Sequence, residues 1–267
     1  MAQKRTVNNS LSIIYCSAMF LFMYLPIFVL GFYSFNQSAY SGSWTGFSLE
    51  WYARLLSDRR ILQALANSLA VGAIAVAIAA VIGTMMAVGL TKYRFPGKTL
   101  YRGVSYLPLI IPDIAIAIST LIFLAVFSIQ LSFWTIVASH VVFCLAYIAI
   151  VVSSRFSHLD RHLEEAALDL GATPLQAFLK VLLPELRPAI VAGCLLAFVL
   201  SFDDFLISSF TAGARSTTLP LEIFSRIRTG VKPDVNALGV LLILFSGAIA
   251  YIAELIINRQ RADKNYQ

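Results

Sequence analysis

Charge is what this sequence has least of: Asp, Glu, Lys and Arg make up 13% of its 267 residues, against 59% hydrophobic residues and a mean hydropathy of +0.79. A water-soluble domain of this length cannot hide so much apolar surface, so the solvent is lipid. With no polar stretch long enough for a separate soluble domain, residues 1–267 are expected to form one transmembrane domain, a bundle of helices. Cysteine and histidine are scarce too, three of each. Cys16, Cys144 and Cys194 each lie inside an apolar run, and an odd number of buried thiols excludes a disulfide framework. His140 stands alone in an apolar run and reads as a packed, hydrogen-bonded core residue rather than a relay or a ligand. Neither a metal site nor a catalytic residue is expected.

What is abundant is long apolar runs. At about 20 apolar residues per crossing, six spans are predicted, at 11–35, 64–90, 103–128, 133–152, 189–210 and 237–257. The first follows Lys4 and Arg5 but is too long for a signal-peptide core and has no small-residue cleavage site after it, so it stays as a span. Six spans put both termini on one side. That side collects Lys4, Arg5, Lys92, Arg94, Lys98, Arg102, Arg155, Arg161, Lys180, Arg187, Arg259, Arg261 and Lys264; the other has only Arg54, Arg59, Arg60, Arg215, Arg226, Arg228 and Lys232. The bias predicts cytoplasmic termini. The net charge of +6 is then a topology signal that meets anionic membrane lipid, and no nucleic acid is implied.

Two gaps are too long to be simple turns: an outer one, 36–63, and a cytoplasmic one, 153–187. The cytoplasmic loop carries the punctuation of two short helices. One runs over 161–170 and stops at Gly171 in a left-handed cap. The other starts at an N-cap, Thr173, with Pro174 first and Gln176 closing a capping box, and ends near Pro184. On the first helix Leu163, Ala166, Ala167 and Leu170 form an apolar stripe, with Arg161, Glu165 and Asp169 along another face. Two capped helices make a rigid knob, and the alanines let a partner approach closely. Glu165 either contacts that partner or pairs with Arg161.

Gly97-Lys98-Thr99 copies the tail of a phosphate-binding P-loop, but the motif's first glycine would fall on Lys92 and the segment joins two membrane spans. No ATP site is therefore expected in this chain.

Acidic residues inside spans are few and expensive, about 2.5 to 3.5 kcal/mol each. Asp203 and Asp204 sit in one span, where adjacent helix residues point about 100° apart, so the two are not expected to face the same place. Asp204 then shares a face with Ser201, Ser208 and Thr211 and lines a polar cavity more directly than Asp203. Asp113 follows Pro108 and Pro112, which break the backbone in mid-span, and it can cap the half-helix that follows. No Lys or Arg lies in the spans to neutralise these groups, which favours a cationic substrate. Aromatics gather on the outer loop, at Tyr40, Trp44, Phe47, Trp51 and Tyr52, either to meet an organic cation or to anchor at the membrane interface.

Glu165-Ala166-Ala167, three residues, Gly171, nine residues and Val181-Leu182-Leu183-Pro184 resemble the EAA signature of the membrane subunits of binding-protein-dependent ABC importers. The one departure is Val181 where isoleucine is usual. The resemblance implies a type I ABC importer permease of MetI-like architecture, an all-α six-helix transmembrane bundle in the bacterial inner membrane. It also implies that the loop, through Glu165, Ala166, Ala167 and Gly171, couples to a partner ATPase. YSFNQS at 33–38, SWTGFSLEWY at 43–52, YRFPGK at 93–98, PLIIPDI at 108–114, LSFDDF at 200–205 and KPDVNAL at 232–238 narrow the likeness to spermidine/putrescine permeases of the PotC-like kind. TTLPLEIFSRIRTG at 217–230 resembles that family's external gate region. The resemblance implies a paralogous PotB-like permease subunit, a PotA-like ATPase dimer that binds ATP and Mg, and a periplasmic PotD-like polyamine-binding protein. By the same resemblance Trp44, Asp113, Asp203 and Asp204 line the substrate pathway. An importer for another small solute, or an ion-coupled secondary transporter, is the alternative.

Overall fold

In lipid every backbone polar group must find its partner within the chain, and helix is the way a single segment does this. The computed structural model describes residues 9–38, 43–160, 162–230 and 233–264, and helix dominates them. Lys4, Arg5, Tyr40, Arg161 and Lys232 lie outside the described residues. The chain divides into two compact units, residues 1–58 with 223–244, and residues 59–222 with 245–267.

The first unit begins with α1 (Asn9–Tyr33), apolar on all sides and exposed along most of its length, as a lipid-facing helix is. After it the chain turns back in a small knot. Gln37 N–H donates to Gly46 O and Ser48 N–H to Phe35 O, each at 2.8 Å. Buried Asn36 donates from Nδ2 to Ser43 O at 2.7 Å and accepts from Thr45 N–H at 3.0 Å. The expected outer loop is thus largely structured: α2 (Glu50–Ser57) follows, and α3 already starts at Arg59. Trp51 is buried and donates from Nε1 to Asn36 O at 2.8 Å. Tyr52 OH lies 2.8 Å from Ser34 Oγ, and its ring packs on Phe35, which stacks on Phe47. These aromatics hold the loop to the end of α1.

In the second unit α3 (Arg59–Lys92), α6 (Phe133–Ser157) and α9 (Leu183–Phe202) pack together. Small residues let them approach. A Cβ at Gly83 of α3 would stand 3.0 Å from Leu145 O and 3.3 Å from the Ile148 side chain, and one at Gly193 of α9 would stand 3.3 Å from Ile148 Cα. Ile148 of α6 is therefore clasped from both sides, and Cys144, Ala149 and Val152 are buried beside it, the close packing by which membrane helices associate.

Helices long and apolar enough to cross a bilayer are Ser12–Tyr33, Arg59–Lys92, Phe133–Ser157 and the continuous run Pro174–Phe202. The third predicted span is not one helix. It consists of α4 (Lys98–Tyr106) with a 3₁₀ turn (Leu107–Leu109), then α5 (Asp113–Val126), with a bend of 105° between the two arms. Pro108 and Pro112 account for the break, since neither can donate and each restricts the residue before it.

The predicted 189–210 span differs at both ends. The loop's first helix is α7 (His162–Asp169), closed by Gly171 at φ 86°. Its second, α8 (Pro174–Ala177), starts at the expected Thr173–Gln176 capping box. It does not end near Pro184: a π turn (Phe178–Leu182) carries it into α9, with Leu183 N–H bonded to Phe178 O. The widened turn accommodates a proline that an ideal α turn would reject. At the far end the helix stops at Phe202 and restarts as α10 (Leu206–Thr211). The short α11 (Leu219–Arg228) and α12 (Pro233–Lys264) complete the order, the latter carrying a shorter apolar stretch, Pro233–Ile249.

Candidate functional site

The two backbone breaks of the second unit meet at a pocket. Pro108 and Asp113 from the first break, Leu200 of α9, residues 203–205 of the second break, Leu206 and Ile207 of α10, and Phe143 and Tyr147 of α6 enclose about 350 Å³. That volume is in the range of small-molecule sites, about 300 to 1,000 Å³. Neither Lys nor Arg is among the lining residues, while Asp113, Asp203 and Asp204 are.

Each carboxylate is held differently. Asp113 is the first residue of α5; Pro112 occupies the N-cap position, and no side-chain cap bond forms. The expected capping by Asp113 is therefore absent, because the proline backbone, at φ −57° and ψ 137°, already provides the extended entry. Its carboxylate stays in the first turn, where the positive end of the helix dipole favours it, and lines the pocket. Asp203 is exposed. Asp204 Oδ1 accepts from Ile207 N–H at 3.1 Å and Oδ2 from Ser208 N–H at 2.7 Å, so this carboxylate satisfies free donors at the start of α10. A continuous helix would send Asp203 and Asp204 in different directions; because the helix stops at Phe202, both reach the same pocket.

Behind Asp204 lies a polar cluster in an otherwise apolar interior. His140 is fully buried, with Nδ1 2.7 Å from Ser201 Oγ and Nε2 3.2 Å from Ser208 Oγ and 3.3 Å from Asp204 Oδ2. It is the hydrogen-bonded core residue expected, with a neighbour that was not. Thr135 of α6 donates to Thr211 O at 2.7 Å and anchors the end of α10.

Phe143 and Tyr147 were not anticipated at the pocket. Their signal was present: with His140 they recur at intervals of three and four, one face of α6. Trp44, also expected on a substrate path, belongs to the first unit, where its ring stacks on Phe32 at a centroid distance of 4.3 Å.

On the loop of α7 and α8, Glu165 and Ala166 are exposed and Ala167 half-buried. Glu165 Oε2 lies 3.1 Å from His162 Nδ1; the alternative partner Arg161 lies outside the described residues. The expected apolar stripe is only partly covered by this chain, with Leu163 half-buried but Leu170 89% exposed, and Leu168, Leu175 and Leu179 are exposed too. Glu164 of α7 is ion-paired with Lys92 in the last turn of α3.

Residues 79–262 match the family described as binding-protein-dependent transport system inner membrane component. The chain is 40% identical over 237 residues to the spermidine/putrescine transport system permease protein PotC of Haemophilus influenzae, covering 89% of this chain and 92% of that one. It is 42% identical over 248 residues to the putrescine transport system permease protein PotI of Escherichia coli, covering 90% and 88%. Among solved structures it is similar to a chain of a bacterial ABC transporter involved in the import of the acidic polysaccharide alginate. The TM-score is 0.74, with 95% and 98% of the two chains covered and 17% identity, a likeness of fold.

Proposed function

Because this chain belongs to the family of binding-protein-dependent transport system inner membrane components, a transport subunit and not an enzyme, we propose that it forms part of an ATP-driven import path for polyamines. Its fold is that of the type I importer permeases. The observation that carries the substrate reading is the pocket: Asp113, Asp203 and Asp204 line it together with the rings of Phe143, Tyr147 and Phe205, and no cationic side chain joins them. Carboxylates and ring faces are what an extended organic polycation binds, and relatives named for spermidine and putrescine support the same reading.

Cargo reaches the pocket from a periplasmic polyamine-binding protein, and a paralogous permease subunit supplies the other wall of the path. An ATPase dimer that holds ATP and Mg grips the loop at Glu165, Ala166, Ala167 and Gly171. The knob's exposed leucines favour this seat, and the capped, continuous helix from Thr173 to Phe202 gives its motion a stiff route to the pocket. Closure of the ATPase opens the pocket outward and hydrolysis resets it. Selectivity is shared with the binding protein, so cargo binding in the pocket is weak enough to release. Both termini lie on the cytoplasmic side, where the larger set of basic residues falls. Trp44 is assigned to the outer part of the path.

The test is uptake of radiolabelled spermidine and putrescine into vesicles holding the complete importer. Uptake is expected to need ATP with the ion gradient collapsed and to fall well below wild type, to a level still measurable, in Asp204→Asn at normal membrane abundance. Gradient-driven uptake without ATP would refute the import mechanism, and undiminished uptake by Asp204→Asn would refute the acidic-pocket reading.

A further inference from the structure

The proposed function uses Asp204 but leaves unexplained why a fully buried histidine stands behind it. The hydrogen bonds decide what His140 does. Among the described residues the only hydrogen-bond partner of buried Ser201 Oγ is His140 Nδ1, at 2.7 Å. A buried hydroxyl hydrogen without an acceptor is costly, so Ser201 donates and Nδ1 accepts. The ring proton of a neutral imidazole is then on Nε2, which faces Asp204 Oδ2 at 3.3 Å and Ser208 Oγ at 3.2 Å, the Ser208 hydroxyl itself hydrogen-bonding the Asp204 carboxylate. That tautomer satisfies the ring without a charge on it and leaves the negative charge of Asp204 uncancelled beside the pocket.

The position of the cluster adds a second argument. Ser201 is on α9 and His140 on α6, and these helices flank the loop of α7 and α8, whereas Asp204 and Ser208 belong to the break and to α10. His140 is thus where the helices leading from the loop touch the pocket carboxylate. Phe143, one turn further along α6, lies against the ring at a centroid distance of 5.1 Å and also lines the pocket, so the imidazole has little freedom to turn away.

We propose that His140 is a positioning residue: as the neutral Nε2–H tautomer between Ser201 and Asp204, it fixes the Asp204 carboxylate toward the pocket and ties it to α6 and α9. It does not touch cargo. This inference rests on the acidic-pocket reading. It goes beyond that reading by assigning the aim of one carboxylate to a residue outside the pocket lining.

The experiment is a double-mutant cycle on radiolabelled spermidine and putrescine uptake, in vesicles holding the complete importer at matched membrane abundance. Loss of a hydrogen bond to a charged group predicts that His140→Leu lowers uptake roughly tenfold or more. If His140 acts through Asp204, adding His140→Leu to Asp204→Asn costs little further, because the carboxylate it aims is already gone. His140→Gln, whose amide N–H can stand in for Nε2–H, retains most uptake. His140→Asn, whose shorter amide reaches only the Nδ1 position, does not. Multiplicative losses in the double variant, wild-type uptake by His140→Leu, or equal uptake by the Gln and Asn variants would each overturn the proposal. The amide pair also decides the matter should the Leu variant fail to accumulate. An uptake defect in Asp204→Asn beside an unimpaired His140→Leu refutes this inference alone, whereas an unimpaired Asp204→Asn refutes the reading beneath it.

Discussion

The ion pair between Lys92 and Glu164 links the last turn of α3 to α7, and its removal tests the proposal that the knob must be held rigid to transmit force. The two side chains are 27% and 17% exposed, between the open surface, where such pairs are worth about 0 to 1 kcal/mol, and the interior, where breaking one costs about 3 to 5. Glu164→Gln is therefore expected to lose about 1 to 3 kcal/mol of tethering, which multiplies the population of loosely held α7 by about 5 to 150. ATP hydrolysis stimulated by the loaded binding protein should persist while polyamine imported per ATP falls, because a knob that tilts absorbs the stroke. The exchange Lys92→Glu with Glu164→Lys restores the pair but puts each charge at the unfavourable end of its helix dipole, at about 0.3 to 1 kcal/mol apiece. Recovery in the exchanged variant is consequently partial. The assay is the ratio of labelled spermidine imported to phosphate released, in proteoliposomes of the full importer. A wild-type ratio in Glu164→Gln, or an exchanged variant no better than the single ones, refutes the reasoning.

Two further perturbations test the architecture around the pocket and on the first unit. A Cβ at Gly213 would collide with the carbonyl of Leu131, which is backbone and cannot swing aside; Gly213→Ala is expected to destabilise the junction of α10 with α6 by about 1 to 3 kcal/mol. A lowered thermal midpoint of the detergent-solubilised importer would show it, and an unchanged midpoint would refute the close approach. Arg226 bridges Asp58 at 2.6 Å through Nη2 and Asp234 at 3.0 Å through Nη1, joining α11 to the end of α2 and the start of α12. Arg226→Lys is expected to recover only part of the stability that Arg226→Ala loses, since one ammonium does not reproduce the two-sided fork; full recovery in the same melting assay would refute that geometry.

Much of this fold is legible in the sequence, and the illegible parts share one cause. Apolar runs locate α1, α3 and α6 within a few residues, because a bilayer demands length and hydropathy together. Thr173, Pro174 and Gln176 fix the start of α8, and Gly171 the end of α7, because caps act through neighbours in the chain. Hydropathy does not register where a helix stops within an apolar run. The break after Phe202 is therefore hidden, and with it the convergence of Asp203 and Asp204 on one pocket. Pro184 misleads in the opposite direction: it reads as a stop, yet the π turn before it carries the helix through. Asp113, Asp203 and Asp204 stand out in the sequence because charge is so scarce there. Phe143 and Tyr147 do not, because aromatic residues are common in membrane helices for reasons of packing alone.

The breaks and the carboxylates explain each other. A helix that starts inside the membrane leaves backbone N–H groups without partners, at a penalty of several kcal/mol for each, and an isolated carboxylate at that depth is costly as well. At Asp204 the two liabilities meet: its oxygens accept from Ile207 and Ser208 N–H, so each feature supplies what the other lacks. Asp113 stands in the same relation to the start of α5, through the dipole rather than a cap bond. Neither device uses a cationic side chain. Had lysine or arginine neutralised these groups, the membrane would tolerate them equally well, but the pocket would have no net charge to offer. Backbone donors stabilise the negative charge without cancelling it, and that distinguishes a carboxylate kept to hold the fold from one kept to meet a cation.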